Sequence, residues 1–351
     1  MPSGSAVRTW SSDHPSRPNG SCPVSTELSP EQTTGNSPPA RPITEAPPAV
    51  GWRRIDYCGI TDEAAADLTG QLAAARELGW QAIELRSVDG QPLDLLSGPA
   101  FARAAARIAE AGLRVPVVAS RIGGWARPVS CDLDQELNEL ALLADRCAAL
   151  GTRFLRIMSY PNDGLPQDDW EREVLRRIRV LTRSAERHGV VLLHENCSGW
   201  AGRDADRALR LLDAAGSDAF GLLFDTGNGA AHGYRPLELL RPLAPYVRHV
   251  QVKDAVRLSG DAVAYRTPGE GDAEVADCLR LLLAAGYQGH WSIEPHVAVR
   301  PHEGHRDEPT ACRAAFARCG QALRELAETA AATAGGSWRG TAAGLEWTPP
   351  C

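Results

Sequence analysis

The chain has 351 residues, 43% hydrophobic and 23% charged, an ordinary globular composition that supports one large core. Its formal net charge of -7 gives no basic footprint for tracking phosphates and argues against a nucleic-acid partner. Its longest apolar runs, such as Leu281 to Ala285, fall far short of the roughly 20 residues a membrane-spanning helix needs.

Residues 1–49 are rich in Ser, Thr and Pro and lack the apolar stretch of a signal peptide, so they read as a disordered extension. Nine scattered cysteines, odd in number and without a CxxC pair, provide no structural zinc spacing and suit a reducing cytoplasm better than secretion.

From Gly51 onward, short apolar runs alternate with Ala/Leu/Arg-rich stretches of helical period, the pattern of βα units around a parallel sheet. Strands are predicted at Arg54–Cys58, Ala82–Leu85, Val115–Ala119, Phe154–Met158, Val190–His194, Phe220–Phe224, Val247–Val252 and Trp291–Ile293. Between them helices are predicted at Ala64–Leu78, Phe101–Ala111, Leu133–Leu150, Trp170–His188, Ala205–Ala214, Pro236–Leu240, Ala273–Ala285 and Ala311–Ala327. Glycines at 79, 112, 151, 189 and 286 follow the ends of five of these, where a left-handed residue is wanted. Eight such units fill residues 50–330 as a single α/β domain, a (β/α)8 TIM barrel. The tail from residue 331 loses its period, gains Gly and Pro, and reads as a flexible extension.

A barrel places its active site at the C-terminal ends of its strands. Four consecutive strands end there on an oxygen donor: Glu195 in HEN (194–196), Asp225 in FDTGN (224–228), Gln251 in HVQVKD (249–254) and Glu294 in SIEPH (292–296). Three buried carboxylates at one barrel mouth repel one another and lose hydration unless a cation neutralises them. An all-oxygen set favours Mn²⁺, with Mg²⁺ or Co²⁺ as alternatives.

These motifs, with TPGEGD at 267–272, resemble in order and spacing the xylose isomerase-like barrel family of sugar phosphate isomerases and epimerases. The resemblance spans roughly residues 52–325. It implies that Glu195 and Glu294 serve both as metal ligands and as the acid/base pair, that Asp225 is a ligand only, and that Arg257 binds substrate. It also implies a small sugar or cyclitol as substrate and association into dimers or tetramers through the barrel helices. The chemistry would be removal of a proton next to a carbonyl. Three positions depart from the pattern: a strand-seven histidine ligand is Gln251, a substrate-contacting histidine is Asn228, and a glutamate six residues after Glu195 is Ala201. Those departures leave open a dehydratase of the inosose or dehydroshikimate type, with His194, His232 or His296 as general acid, and also a non-catalytic scaffold with a decayed metal site. A DNA-repair endonuclease on the same barrel has a trinuclear site for which the strand-end histidines here, out of nine in the chain, are too few.

Further candidates come from position alone. His249 points to the same side of its strand as Gln251, and Lys253 and Asp254 could hold or orient an anionic substrate. Glu84, Arg86 and Arg121 end the second and third strands, and Trp125, Tyr160 and Trp200 lie in strand-end loops. The TPGEGD turn could offer backbone N–H groups to a substrate.

Overall fold

A computed structural model describes residues 53–259, 262–334 and 337–348, so the extension predicted over residues 1–49 lies outside the described residues. The predicted apolar runs form seven parallel strands: β1 (Arg53–Gly59), β2 (Val117–Ala119), β3 (Phe154–Ser159), β4 (Val191–Gly199), β5 (Phe220–Asp225), β6 (Val247–Val252) and β7 (Gly289–Ile293). Their order in the sheet is β1-β7-β6-β5-β4-β3-β2. The predicted run at 82–85 is no continuous strand. It bridges β1 and β2 through isolated pairs, Ile60 with Glu84 and Leu85 with Val118, and so completes the ring.

Eight helices cover the outside: α1 (Leu68–Glu77), α2 (Gly98–Glu110), α3 (Leu133–Leu150), α4 (Gln167–His188), α5 (Ala205–Ala215), α6 (Pro236–Leu243), α7 (Val275–Ala284) and α8 (Pro309–Thr333). Side-chain oxygens of Asp67, Ser97, Asp132 and Asp204 accept hydrogen bonds from the first-turn N–H groups of α1, α2, α3 and α5, which satisfies donors left open at a helix start. Left-handed glycines close α3, α4 and α5 at Gly151, Gly189 and Gly216.

The period-two alternation of the strands sorts their side chains between two environments. Leu192, Leu222 and Phe224 join the large core between strands and helices, whereas Val117, Leu193 and Leu223 form a small cluster of their own inside the ring. One step further along the same inward faces, β4 and β5 arrive at Glu195 and Asp225. An apolar plug below and acids above is the arrangement expected of a barrel whose interior is packed and whose mouth carries the chemistry.

The tail differs from its prediction. Ser337–Thr341 (β8) and Gly344–Thr348 (β9) form an antiparallel hairpin, and β9 pairs with β1, Ile55 opposite Leu345 and Arg53 opposite Trp347. Leu345 is fully buried. A Cβ at Gly344 would come within 1.9 Å of the Ile55 carbonyl oxygen, so only glycine permits this approach. β9 occupies the edge of β1 over Arg53–Asp56, and the 82–85 run meets the chain beyond it, where the Glu84 N–H donates to the Gly59 carbonyl and Ile60 bridges to Glu84.

Candidate active site

Glu195 ends the inward face of β4, Asp225 ends β5, Lys253 follows β6, and Glu294 follows β7. All four are at most 6% exposed. One oxygen from each of Glu195, Asp225 and Glu294 lies within 4.8 Å of the other two. Lys253 Nζ stands among them, 2.8 Å from Glu294 Oε2 and 3.0 Å from Asp225 Oδ2.

Each carboxylate is also held from outside this group. Arg86 donates to Glu294 Oε1 at 2.8 Å while pairing with Asp62 and Glu63. Arg156 on β3 lies 3.3 Å from Glu195 Oε2, and Asn228 donates to Glu195 Oε1 at 2.9 Å. Asp225 Oδ1 accepts from the N–H groups of Gly227 and Asn228. The Asn196 amide both donates to the Asp225 carbonyl and accepts from its N–H. The short HEN and FDTGN motifs are therefore one polar knot that fixes two acids.

Burial raises the proton affinity of Glu195, against the pull of Arg156. Burial raises that of Asp225 to about 8, against the pull of Lys253. Burial also works to raise Glu294, but Lys253, His296 and Arg86 outweigh it and hold this carboxyl well below the usual range. Two glutamates at one site are thus pushed apart, which is how one fold separates an acid from a base.

Three chain cations meet the three carboxylates, Lys253, Arg156 and Arg86, the last shared with Asp62 and Glu63. The donor set still fits a divalent ion in number, hardness and spacing. Asp225 Oδ2 is met by the Lys253 ammonium at 3.0 Å, and Gln251 Oε1 is buried without a hydrogen-bond partner among the described residues.

Gln251 and His249 belong to a separate group around Glu84. Gln251 Nε2 donates to Glu84 Oε1 at 2.7 Å, and His249 Nε2 lies 2.8 Å from Glu84 Oε2. His296 does reach the acids. Glu63 holds its backbone N–H and its Nδ1, each at 2.8 Å, leaving Nε2 4.0 Å from Glu294 Oε1. His296 has a left-handed φ of 53°, a conformation that costs energy outside glycine and recurs at functional sites. The Tyr265 and His302 rings pack against it.

The other candidates make the following described contacts. His194 faces the opposite side of β4, in a small apolar space with Ala208, Leu222 and Leu243. Arg257 is exposed and lines a cleft of about 280 Å³ with Tyr234 and Asp272. His232 lies 3.7 Å from the Cys197 sulfur. Arg121 pairs with Asp94, Tyr160 donates to Glu136, Trp200 is buried, and Trp125 is exposed. Within TPGEGD the Gly269 and Gly271 N–H groups donate to the Asp254 carboxylate, which also accepts from Ala273, and the Glu270 and Asp272 N–H groups donate to the Thr267 and Ala255 carbonyls.

Sequence reasoning missed Arg156 and Asp62 as partners in the network. Arg156 sits mid-strand on an inward face, the one signal that could have marked it.

A family model described as xylose isomerase-like TIM barrel matches residues 72–318. An inosose dehydratase from Bacillus thuringiensis (strain Al Hakam) is 25% identical over 142 residues, 36% of this chain and 47% of that protein. The chain thus spans about half the length of such curated relatives. A solved L-ribulose 3-epimerase aligns over 80% of this chain and 97% of its own, with a TM-score of 0.61 and 20% identity. The IOLI protein, described with a binding zinc atom, aligns over 78% of this chain and 98% of its own, with a TM-score of 0.62 and 16% identity. At such identities the likeness to these two structures is one of fold.

Proposed function

The chain belongs to the xylose isomerase-like TIM barrel family, and from that premise we propose that it is an isomerase or epimerase that removes a proton next to the carbonyl of a sugar, sugar phosphate or cyclitol. The observation that carries this reading is the pair of buried glutamates, Glu195 and Glu294, set around one centre of positive charge at the barrel mouth. Glu294, held ionised by its cationic neighbours, takes the proton. Glu195, whose proton affinity burial raises, returns one. Delivery to the opposite face of the same carbon gives an epimer, and delivery to the neighbouring carbon gives an aldose–ketose pair.

A divalent ion bound by Glu195, Asp225 and Glu294, with Mn²⁺ first, Mg²⁺ or Co²⁺ next and the Gln251 carbonyl oxygen as a further donor, would polarise the carbonyl and acidify the neighbouring C–H. Asn228 and Asn196 keep Glu195 and Asp225 in place. The described cysteines are all free, which suits the proposed cytoplasmic setting. Among the described residues no helix is long and apolar enough to cross a membrane.

One observation favours a second reading, a dehydratase. Glu63 orients His296 so that its Nε2 faces Glu294, as a general acid for a departing hydroxyl needs. The carbon-bound proton passes to a carboxylate, the β-hydroxyl leaves with its bonding electrons, and His296 protonates it to water. The organic product is a conjugated enone.

Product analysis on a panel of ketoses, inososes and their phosphates separates the two readings. Isomers or epimers with unchanged mass support the first, and a product lighter by one water with enone absorbance supports the second. Under the second, His296→Gln removes enone formation; under the first, it leaves isomer formation within a few-fold. Inertness toward every carbonyl compound in the panel sinks both.

A further inference from the structure

We propose that the Lys253 ammonium is the resident cation of this site: the chain neutralises its own three carboxylates, and a divalent ion enters only by displacing it. The proposal rests on the site geometry and is independent of the substrate reading.

Lys253 is 2% exposed, so its charge has little water around it and depends on the carboxylates for compensation. Its Nζ meets Glu294 and Asp225 at 2.8 and 3.0 Å, on oxygens of the group a metal would use. A divalent ion would sit about 2.0–2.2 Å from such oxygens. Ion and ammonium would then be neighbouring like charges in a buried space, and one must leave.

The lysine is built into this place. Thr226 Oγ1 donates to the Lys253 carbonyl at 2.7 Å and accepts from its N–H at 3.1 Å, which locks the end of β6 to the end of β5. Gly227 packs directly on the lysine stem: a Cβ there would lie 2.5 Å from Lys253 Cγ and 2.7 Å from its Cβ. The Glu195 and Glu294 oxygens that Lys253 does not reach are met by Arg156, Asn228 and Arg86. Lys253 is the cation set between two of the three acids, whereas Arg86 is shared with Asp62 and Glu63.

The test is Mn²⁺ titration by calorimetry on the full chain, wild type and Lys253→Met, with thermal melting in EDTA and in Mn²⁺. Removing the ammonium is expected to tighten Mn²⁺ binding on the order of 100-fold or more, because the competing like charge is gone. Wild type should melt at the same temperature in EDTA as in modest Mn²⁺, whereas Lys253→Met should be destabilised in EDTA and restored by Mn²⁺. Should Lys253→Met not fold, the EDTA arm on wild type decides alone: an unchanged melting temperature supports the proposal and a drop of several degrees overturns it. The proposal also fails if Lys253→Met binds Mn²⁺ no more tightly than wild type, including the case where neither binds. No arm uses a substrate, so failure here leaves the functional reading standing, and failure of that reading leaves this one.

Discussion

Asn196, Thr226 and Asn228 show how much of the site rests on uncharged side chains. Each bridges two strand ends: Asn196 and Asn228 fix Asp225 and Glu195, and Thr226 fixes the backbone of Lys253. The acids themselves are legible in the sequence, because a polar residue ending an apolar run stands out from it. Their partners are less so: Glu84, Arg86 and Lys253 also lie at strand ends, but which of them would meet which acid depends on distances between strands that no local pattern encodes. His194 illustrates the converse. Its place in HEN suggests the site, yet alternation turns it outward, where burial lowers its pKa to about 3. An unfolded histidine titrates near 6.5, so below that pH the unfolded chain binds a proton that the folded chain refuses. Stability therefore falls as pH drops from about 6.5 toward 3, by up to about 1.4 kcal/mol per unit for this group. Denaturant unfolding of wild type and His194→Leu at pH 7, 5.5 and 4.5 should show the variant losing less stability with acid. Parallel profiles would mean that His194 is not held neutral.

At the scale of elements, amphipathic helices and their caps are the clearest signals, and α3 begins and ends where the sequence predicts. The 82–85 run is predicted as a strand because its composition is that of one, and it does hydrogen-bond to both neighbours, Glu84 to Gly59 and Leu85 to Val117, but only through isolated bridges. The hairpin of β8 and β9 is hidden because its strands are five residues each and carry two glycines and two threonines between them, and their partner β1 lies some 290 residues earlier by sequence position. Its contribution is measurable. Leu345 is fully buried opposite Ile55, and Leu345→Ala should cost about 2–4 kcal/mol in denaturant unfolding through the cavity it leaves. A loss under about 0.5 kcal/mol, typical of a surface change, would show the hairpin to be only loosely attached.

For the whole molecule, the ring of parallel strands turns four scattered motifs into one site. Sequence positions 195, 225, 253 and 294 are distant along the chain, and the sheet order β7-β6-β5-β4 makes them neighbours. That convergence follows from the fold and explains why the barrel and its acidic rim are readable from strand ends alone. It also explains why the counter-charges are not: they come from the 82–85 run, β3 and β6 together, and only closure of the ring brings them to one place. The proposed chemistry of this place is removal of a proton next to a carbonyl. Solvent deuterium uptake into a panel of ketoses, inososes and their phosphates tests it most directly, with wild type compared to Glu195→Gln and Glu294→Gln. The account predicts deuterium at a carbon beside the carbonyl with wild type, slowed by at least about 100-fold in Glu294→Gln, the scale of a lost general base. Uptake that is absent with every compound, or undiminished in both glutamine variants, would contradict it.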